Sequence, residues 1–176
     1  MFLIYNMEFL QITSPEDYRV QEIFHSYCST FPEDERRDQD KFFILFSNPK
    51  VKIISVLHEA KNIGYLIIWE LSHFTFVEHF EVFAEFRSQK LGSYITRYLF
   101  ENYPKIILEI EPEHLGDDAR RRYSFYQRNG FHLIDEMYVQ PSYGKSKKPL
   151  DLWLLANYSP ENVKEVKDEI YDIVYH

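Results

Sequence analysis

The chain has 176 residues, of which 45% are hydrophobic and 18% aromatic, and its formal net charge at pH 7 is −8. This length fits one domain, residues 1–176, with a sizeable core, and the aromatic content excludes a disordered chain. A protein this acidic is a poor nucleic-acid binder, because phosphate contacts need a basic surface. No run approaches the roughly 20 apolar residues of a membrane span.

Helix and strand signals alternate along the whole chain. Ser14 and Pro15 predict a helix start, with Ser14 as the N-cap, and Ser159-Pro160-Glu161 repeats that signal near the end. The predicted strands are 9–13, 51–59, 63–71, 74–83, 105–111, 131–139 and 150–156. The predicted helices are 14–29, 38–46, one from 91, 118–129 and one after 159.

The strand predicted over 74–83 has apolar or acidic residues at every second position. Under a two-residue period, these positions share one face of the sheet: Phe74, Phe76, Glu78, Phe80 and Val82. The element order predicts a mixed sheet with helices on both faces.

The segment after this strand is the strongest chemical signal. A short polar turn leads into a helix whose first turn contains Gly92 and Ser93, and Arg87 and Lys90 add positive charge. Unpaired N–H groups and the helix dipole favour a phosphate at such a helix start. The alternative is an ordinary strand–helix connection with solvated charges.

Arg87-Ser88-Gln89-Lys90-Leu91-Gly92 resembles the R/Q-x-x-G-x-G/A loop of the GNAT acetyltransferases. The sequence departs from that loop at Lys90, where the family has its first glycine. The resemblance implies acetyl-CoA as co-substrate, with its pyrophosphate on this loop and its pantetheine on the preceding strand. The implied binding residues are Phe80, Glu81, Val82, Arg87, Ser88, Gln89, Lys90, Leu91, Gly92 and Ser93.

A second block, residues 108–112 and 122–131, is similar to the family's strand–helix pair ending in Y-x-(K/R)-x-G-F. Tyr126 matches its tyrosine and Gly130 its glycine, whereas Ala119 stands where a helical Asn is usual. The two motifs imply an α/β (α+β) GNAT fold. They imply a central, mostly antiparallel sheet of about six to seven strands flanked by helices, with an additional C-terminal helix.

The resemblance also implies the chemistry. The acetyl group of acetyl-CoA would pass to a primary amine by direct attack in a ternary complex, with strand N–H groups of 80–82 polarising the thioester. The base would be Glu109, with Glu78 as the second candidate, and Tyr126 would be the acid. The seven histidines form no metal-ligand spacing, so we expect no metal.

The acceptor amine is left open between a small molecule and a protein, and the oligomeric state between a monomer and a homodimer. The resemblance places the acceptor between residues 24–40 and 138–149. The alternative function is a catalytically weak or inactive acyl-CoA-binding regulatory module, which the departure at Lys90 keeps open. The apolar residues 1–12 lack a basic start and a cleavage site, so we expect a cytoplasmic protein without nucleic-acid or membrane partners.

Overall fold

The computed structural model describes residues 6–176, so the apolar residues 1–5 lie outside the described part. It contains a seven-stranded sheet in the order β1-β2-β3-β4-β5-β7-β6, in which β4 and β5 are parallel and the other neighbours antiparallel. The strands are β1 (Met7–Ile12), β2 (Val51–His58), β3 (Lys61–Glu70), β4 (Thr75–Val82), β5 (Ile106–Ile110), β6 (His132–Gln140) and β7 (Leu150–Ala156). The helices are α1 (Tyr18–Thr30), α2 (Gln39–Ile44), α3 (Leu91–Asn102), α4 (Asp117–Arg128) and α5 (Val163–Val174). The mixed, mostly antiparallel sheet and the additional C-terminal helix are confirmed.

Helices cover both faces of the sheet. One core lies between the sheet and α1, α2 and α5, and the other lies between the sheet and α3 and α4. Leu91, Ile95 and Leu99 of α3 are all buried, and their four-residue spacing puts them on one helix face. Within residues 6–176, no helix has the length and apolar character to cross a membrane.

Two predicted helix starts lie too early in the chain. The N-cap of α1 is Asp17, whose carboxylate accepts from the backbone N–H of Arg19 at 3.0 Å, and the N-cap of α5 is Asn162. Ser14 instead closes a turn before the helix, because its hydroxyl accepts from the backbone N–H of Glu16. The serine–proline pairs mark the approach to each helix rather than its first turn.

The hairpin between β2 and β3 is tighter than predicted. The pairing of His58 with Lys61 leaves only Glu59 and Ala60 in the turn. The strands predicted over 51–59 and 63–71 would leave a three-residue turn, 60–62. Both turn residues have left-handed backbones, with φ of 50° and 61°. Two-residue hairpin turns use this conformation because its twist matches that of the strands, although glycine usually supplies it.

The prediction that the even positions of β4 share one face is wrong. Ile67 of β3 pairs with His79, while Ile68 pairs with Val77, so Glu78 is an extra, bulged residue. A bulge reverses the alternation of side chains beyond it. Accordingly Phe76 packs in the core under α1 and α5, whereas Phe80 packs against the core under α3 and α4.

His79 is buried beside this bulge, with 4% of its surface exposed, and neither ring nitrogen has a hydrogen-bond partner within the described part of the chain. The rings of Tyr27 and Phe31 lie edge-on to it, with centroids 4.8 and 4.5 Å away. Burial lowers the pKa of His79 to about 4. Below an unfolded-state pKa of about 6.5, the unfolded chain therefore takes up the proton first, and the fold loses stability as pH falls from about 6.5 to 4.

We expect His79→Phe to remove this acid-sensitive part of the stability. At pH 7.5 the variant should lie within about 1.5 kcal/mol of the wild type, since only ring packing changes. At pH 4.5 the wild type is destabilised by the buried neutral imidazole and the variant is not. The free energy of unfolding of the variant, relative to that of the wild type, should therefore be about 2 kcal/mol higher at pH 4.5 than at pH 7.5. Urea denaturation at both pH values measures the change, with His132→Gln, at an exposed histidine, as the control. An equal pH dependence in wild type and His79→Phe would contradict the expectation.

Candidate functional site

β4 and β5 separate part-way along their length. Thr75, Phe76 and Val77 pair with residues 106–108 of β5, but residues 79–82 of β4 have no partner there. The backbone of the second half of β4 is therefore not hydrogen-bonded to the neighbouring strand on that side. Such an opening exposes strand N–H and C=O groups to a ligand that can complete the ladder.

The first turn of α3 lies just beyond the end of β4. Within the described residues, the backbone N–H groups of Leu91 and Gly92 donate to no acceptor. Ser93 is exposed on the same turn. A Cβ at Gly92 would lie 3.1 Å from the ring of Phe125, so this glycine also permits close packing of α4. The free N–H groups and the helix dipole make this turn favourable for an anion.

The loop before α3 has two residues with left-handed backbones. Ser88 has φ of 65° and Lys90 has φ of 62°, and Lys90 is the N-cap of α3. The loop therefore keeps the conformation that a glycine would adopt without strain at position 90. A lysine there costs about 1–2 kcal/mol of backbone strain but leaves the shape of the turn intact.

Arg87 is directed back towards β4. Its Nε donates to the carbonyl of Val82 at 2.8 Å, and its Nη2 lies 3.4 Å from Glu81. Half of the side chain remains exposed. Arg87 thus fixes the end of β4 to the loop and leaves part of its positive charge at the surface.

The three residues predicted on β4 do not share one role. Phe80 lies on the α3–α4 side, where its ring centroid is 6.4 Å from those of Phe125 and Tyr126. Glu81 points to the opposite side and accepts from Ser26 and Thr30 of α1. The Phe80 and Val82 side chains therefore face the α3–α4 core, whereas Glu81 anchors α1 to the sheet.

Tyr126 of α4 is 7% exposed and packs against Phe80 and Phe131. Its hydroxyl donates to no described residue, and the oxygen is not fully enclosed by protein atoms. Burial raises the pKa of Tyr126 to about 12. The phenol is therefore protonated at neutral pH and open to a ligand.

Glu78 is enclosed by donors. Oε1 accepts from the Tyr143 hydroxyl at 2.7 Å and from Arg37 Nε at 3.1 Å, with Arg37 Nη2 2.9 Å away. Oε2 accepts from Trp69 Nε1 at 2.7 Å. Burial alone would raise the pKa of Glu78, but the Arg37 charge and the other donors hold it below its usual value. This carboxylate is ionised and saturated, which suits an anchor rather than a base.

Glu109 of β5 has the opposite environment. Oε1 accepts from the hydroxyl of Tyr175, and Oε2 is buried without a partner. Burial raises the pKa of Glu109 to about 8, although the Tyr175 hydroxyl opposes this. A carboxyl that gains and loses its proton near neutral pH is suited to general acid–base work.

The two segments predicted to hold an acceptor are bound to each other. Lys147 is buried, and its Nζ donates to the carbonyl of Arg36 at 2.5 Å and lies 2.7 Å from Asp38. The backbone N–H of Lys148 donates to Asp34 at 3.0 Å. Burial, with Glu111 nearby, raises the pKa of half-buried Glu35 to about 7.

Residues 6–176 contain no cluster of three or more His, Cys, Asp or Glu side chains that could hold a metal ion.

Sequence reasoning missed the partners of the two carboxylates. Arg37 lies in the predicted acceptor segment 24–40 and Tyr143 in the other, 138–149, but no spacing relates either residue to Glu78. Tyr175 lies beyond both motifs, and its contact with Glu109 spans 66 residues. These contacts depend on tertiary packing, for which the sequence carries no local signal.

The similarity of this chain to known proteins lies in its three-dimensional structure. No protein-family model matches the chain, and no curated protein matches it. A protein from Bacteroides thetaiotaomicron assigned to the GNAT family of acetyltransferases is similar, with a TM-score of 0.88 and 24% identity over 96% of this chain and 98% of that one. Arabidopsis thaliana Naa50, solved with the bisubstrate analogue CoA-Ac-MVNAL, is 13% identical, with a TM-score of 0.61 over 86% of this chain and 98% of that one.

A third similar structure is a GNAT family acetyltransferase from Elizabethkingia anophelis with acetyl-CoA bound. It is 14% identical, with a TM-score of 0.59 over 86% of this chain and 97% of that one. In all three comparisons, the alignment includes almost the whole of the similar chain. The protein therefore has the fold of the GNAT acetyltransferases.

Proposed function

We propose that the protein is an acetyl-CoA-dependent N-acetyltransferase acting on a primary amine of a small molecule or a protein. The observations that carry the proposal are the opening between β4 and β5 and the unpaired N–H groups of Leu91 and Gly92 at the start of α3. Tyr126 and Glu109 belong to elements that border this opening. The similar structures with acetyl-CoA or a CoA-containing analogue bound have the same fold.

The residues present suit acetyl-CoA. The pyrophosphate is an anion, for which the N–H groups at the start of α3 and the charge of Lys90 are complementary. Pantetheine has amide groups that would hydrogen-bond to the unpaired edge of β4 at 80–82. The N–H groups of the same edge would polarise the thioester carbonyl that acetyl-CoA supplies.

Glu109 is the proposed base. An ammonium with a pKa of about 10.4 must lose a proton before its nitrogen can attack. Glu109 has an unpartnered oxygen and a pKa raised to about 8, mainly by burial, so it holds a proton more firmly than an ordinary carboxylate. Glu78, the second candidate, is saturated by Arg37, Trp69 and Tyr143, and we assign it an anchoring role.

Tyr126 is the proposed acid. The ammonium gives one proton to Glu109, its nitrogen bonds to the acetyl carbon, the carbon–sulfur bond breaks, and the sulfur takes the Tyr126 proton. The acylated nitrogen releases its second proton to solvent. With a pKa raised to about 12 by burial, Tyr126 is a weaker acid than a thiol of about 8.5. Proton donation must therefore accompany cleavage of the carbon–sulfur bond. Solvent then returns the proton from Glu109 to Tyr126.

Release of free CoA thiol from acetyl-CoA tests the activity. We would incubate the protein with acetyl-CoA and a panel of polyamines, aminoglycosides, amino-acid amides and peptides, and measure thiol release with a chromogenic disulfide. Amine-dependent release supports the proposal. Calorimetric binding of acetyl-CoA without release for any amine would favour the regulatory binding module, and no binding would contradict both functions.

Ser93→Glu should weaken acetyl-CoA binding by about 10-fold or more, because it adds a negative charge at the proposed pyrophosphate site. Ser93 is exposed, which avoids the packing change that a side chain at Gly92 would cause against Phe125. Asn102→Asp adds the same charge at the other end of α3 and should leave the affinity within about 2-fold. Calorimetry measures both, and equal affinities would contradict this location.

Glu109→Gln should lower turnover by about 100-fold while the fold becomes more stable at alkaline pH. Because the pKa of Glu109 is raised in the folded state, ionisation costs stability as pH rises from about 4.5 to 8, and glutamine removes that cost.

Glu78→Gln should instead destabilise the fold by about 3 kcal/mol or more, since it leaves Arg37 buried without its charge partner. Steady-state rates and urea denaturation at pH 8 measure both effects. Turnover that depends on Glu78 rather than Glu109 would reverse the assignment.

Tyr126→Phe should reduce turnover by at least about 10-fold, because general-acid assistance contributes roughly 10²–10⁴ and water substitutes in part. The affinity for acetyl-CoA and the melting temperature should change little, since the ring packing is kept. Tyr123→Phe is the matched control on the same helix, where the ring of Tyr123 packs on Trp153. A lower melting temperature with normal turnover per folded molecule would assign Tyr126 a structural role.

A further inference from the structure

The end of α5 lies against Glu109. The hydroxyl of Tyr175 donates to Glu109 Oε1 at 2.5 Å, and its ring packs on that of Tyr143 with centroids 5.1 Å apart. The preceding residue, Val174, is fixed as well, because its carbonyl accepts from Arg37 Nη2 at 2.7 Å. Three contacts thus hold the Tyr175 hydroxyl at one oxygen of the carboxyl group.

The two oxygens of Glu109 therefore differ. Oε1 has the Tyr175 hydroxyl, whereas Oε2 is buried and has no partner. The nearby hydroxyl of Tyr138, a residue only 1% exposed, has no partner within hydrogen-bonding distance among residues 6–176, and it lowers the pKa of Glu109 less than Tyr175 does. The titratable groups that face Glu109 are Tyr171 and Tyr175 from α5, Tyr138 from β6, Tyr143 from the β6–β7 connection, Glu78 from β4 and Glu35 from the segment after α1.

We infer that Tyr175 is a positioning residue for Glu109: its hydroxyl holds Oε1 and so fixes the carboxyl group that receives the proton of the acceptor amine. The inference rests on the proposed function, in which Glu109 is the base. In this step an N–H bond of the ammonium breaks, the proton bonds to the Glu109 carboxylate, and the nitrogen keeps the electron pair with which it attacks the acetyl carbon. The Tyr175 hydroxyl keeps its own proton throughout.

The hydrogen bond from Tyr175 also sets the pH at which Glu109 works. A donor favours the ionised carboxylate, so it opposes the rise in pKa that burial causes. Without this donor, the pKa of Glu109 should rise by about one unit. Starting from a pKa of about 8, the ionised fraction at pH 7 then falls by about 10-fold, whereas at pH 10 most of the carboxyl remains ionised.

Tyr175→Phe tests the inference, because it keeps the ring on Tyr143 and removes only the hydroxyl. Turnover at pH 7 should fall by about 10-fold, and the lower limb of the pH profile of kcat/KM should move up by about one unit. The KM for acetyl-CoA should change little. Tyr171→Phe is the control: it removes from α5 a hydroxyl that donates to the carbonyl of Val139 on β6 rather than to Glu109, and it should leave the pH profile unchanged.

A second measurement does not require activity. Carbon-13 NMR of labelled glutamate carboxyls, with the Glu109 signal identified by its loss in Glu109→Gln, gives the titration of Glu109 directly. A midpoint about one unit higher in Tyr175→Phe than in the wild type supports the inference. An unchanged midpoint overturns it, as does a lower melting temperature with an unchanged pH profile. Normal turnover in Glu109→Gln would refute the proposed base instead, and the NMR titration distinguishes that failure.

Discussion

The buried ion pair between Arg37 and Glu78 holds together parts of the fold that are distant in sequence. Arg37 follows α1 and lies 41 residues before Glu78, and it also bonds to the carbonyl of Val174, 137 residues later. Trp69 and Tyr143 add donors from β3 and from the β6–β7 connection. A buried charge without its partner costs about 3–5 kcal/mol, so separating any of these segments from the others would destabilise the fold by a similar amount.

The ion pair also explains why β4 has a bulge. Without the extra residue at Glu78, the strand would place Glu78 and Phe80 on the same face. Either the carboxylate would then lie in the apolar core under α3 and α4, or Phe80 would lie away from Tyr126. The bulge directs Glu78 to the donors of Arg37 and Phe80 to Tyr126. The second half of β4, which no longer pairs with β5, thus has its apolar side towards α4.

The sequence predicts those features whose causes are local. β7 was predicted to the residue, and the spacing of Leu91, Ile95 and Leu99 located α3, because the periodicity of a buried face is visible in a short window. The bulge depends on the register between β3 and β4, which no window contains. The family resemblance placed Glu109 ahead of Glu78 as the base, but neither spacing nor motif reveals which donors surround a carboxylate.

Burial raises the pKa of both carboxyl groups, but only Glu78 has enough donors around it to offset that rise. Glu78 has the formal charge of Arg37 and two further donors, which offset the loss of water around the ionised form. Glu109 has no charge partner and is compensated only by the phenols of Tyr175 and Tyr138, which offset less, so the neutral acid is favoured up to about pH 8. A pair of acids separated in this way can divide two tasks, one holding the fold as a permanent anion and the other exchanging a proton. The same argument explains why the end of α5 matters to the chemistry, because the Tyr175 hydroxyl opposes the rise in the Glu109 pKa more than any other group does.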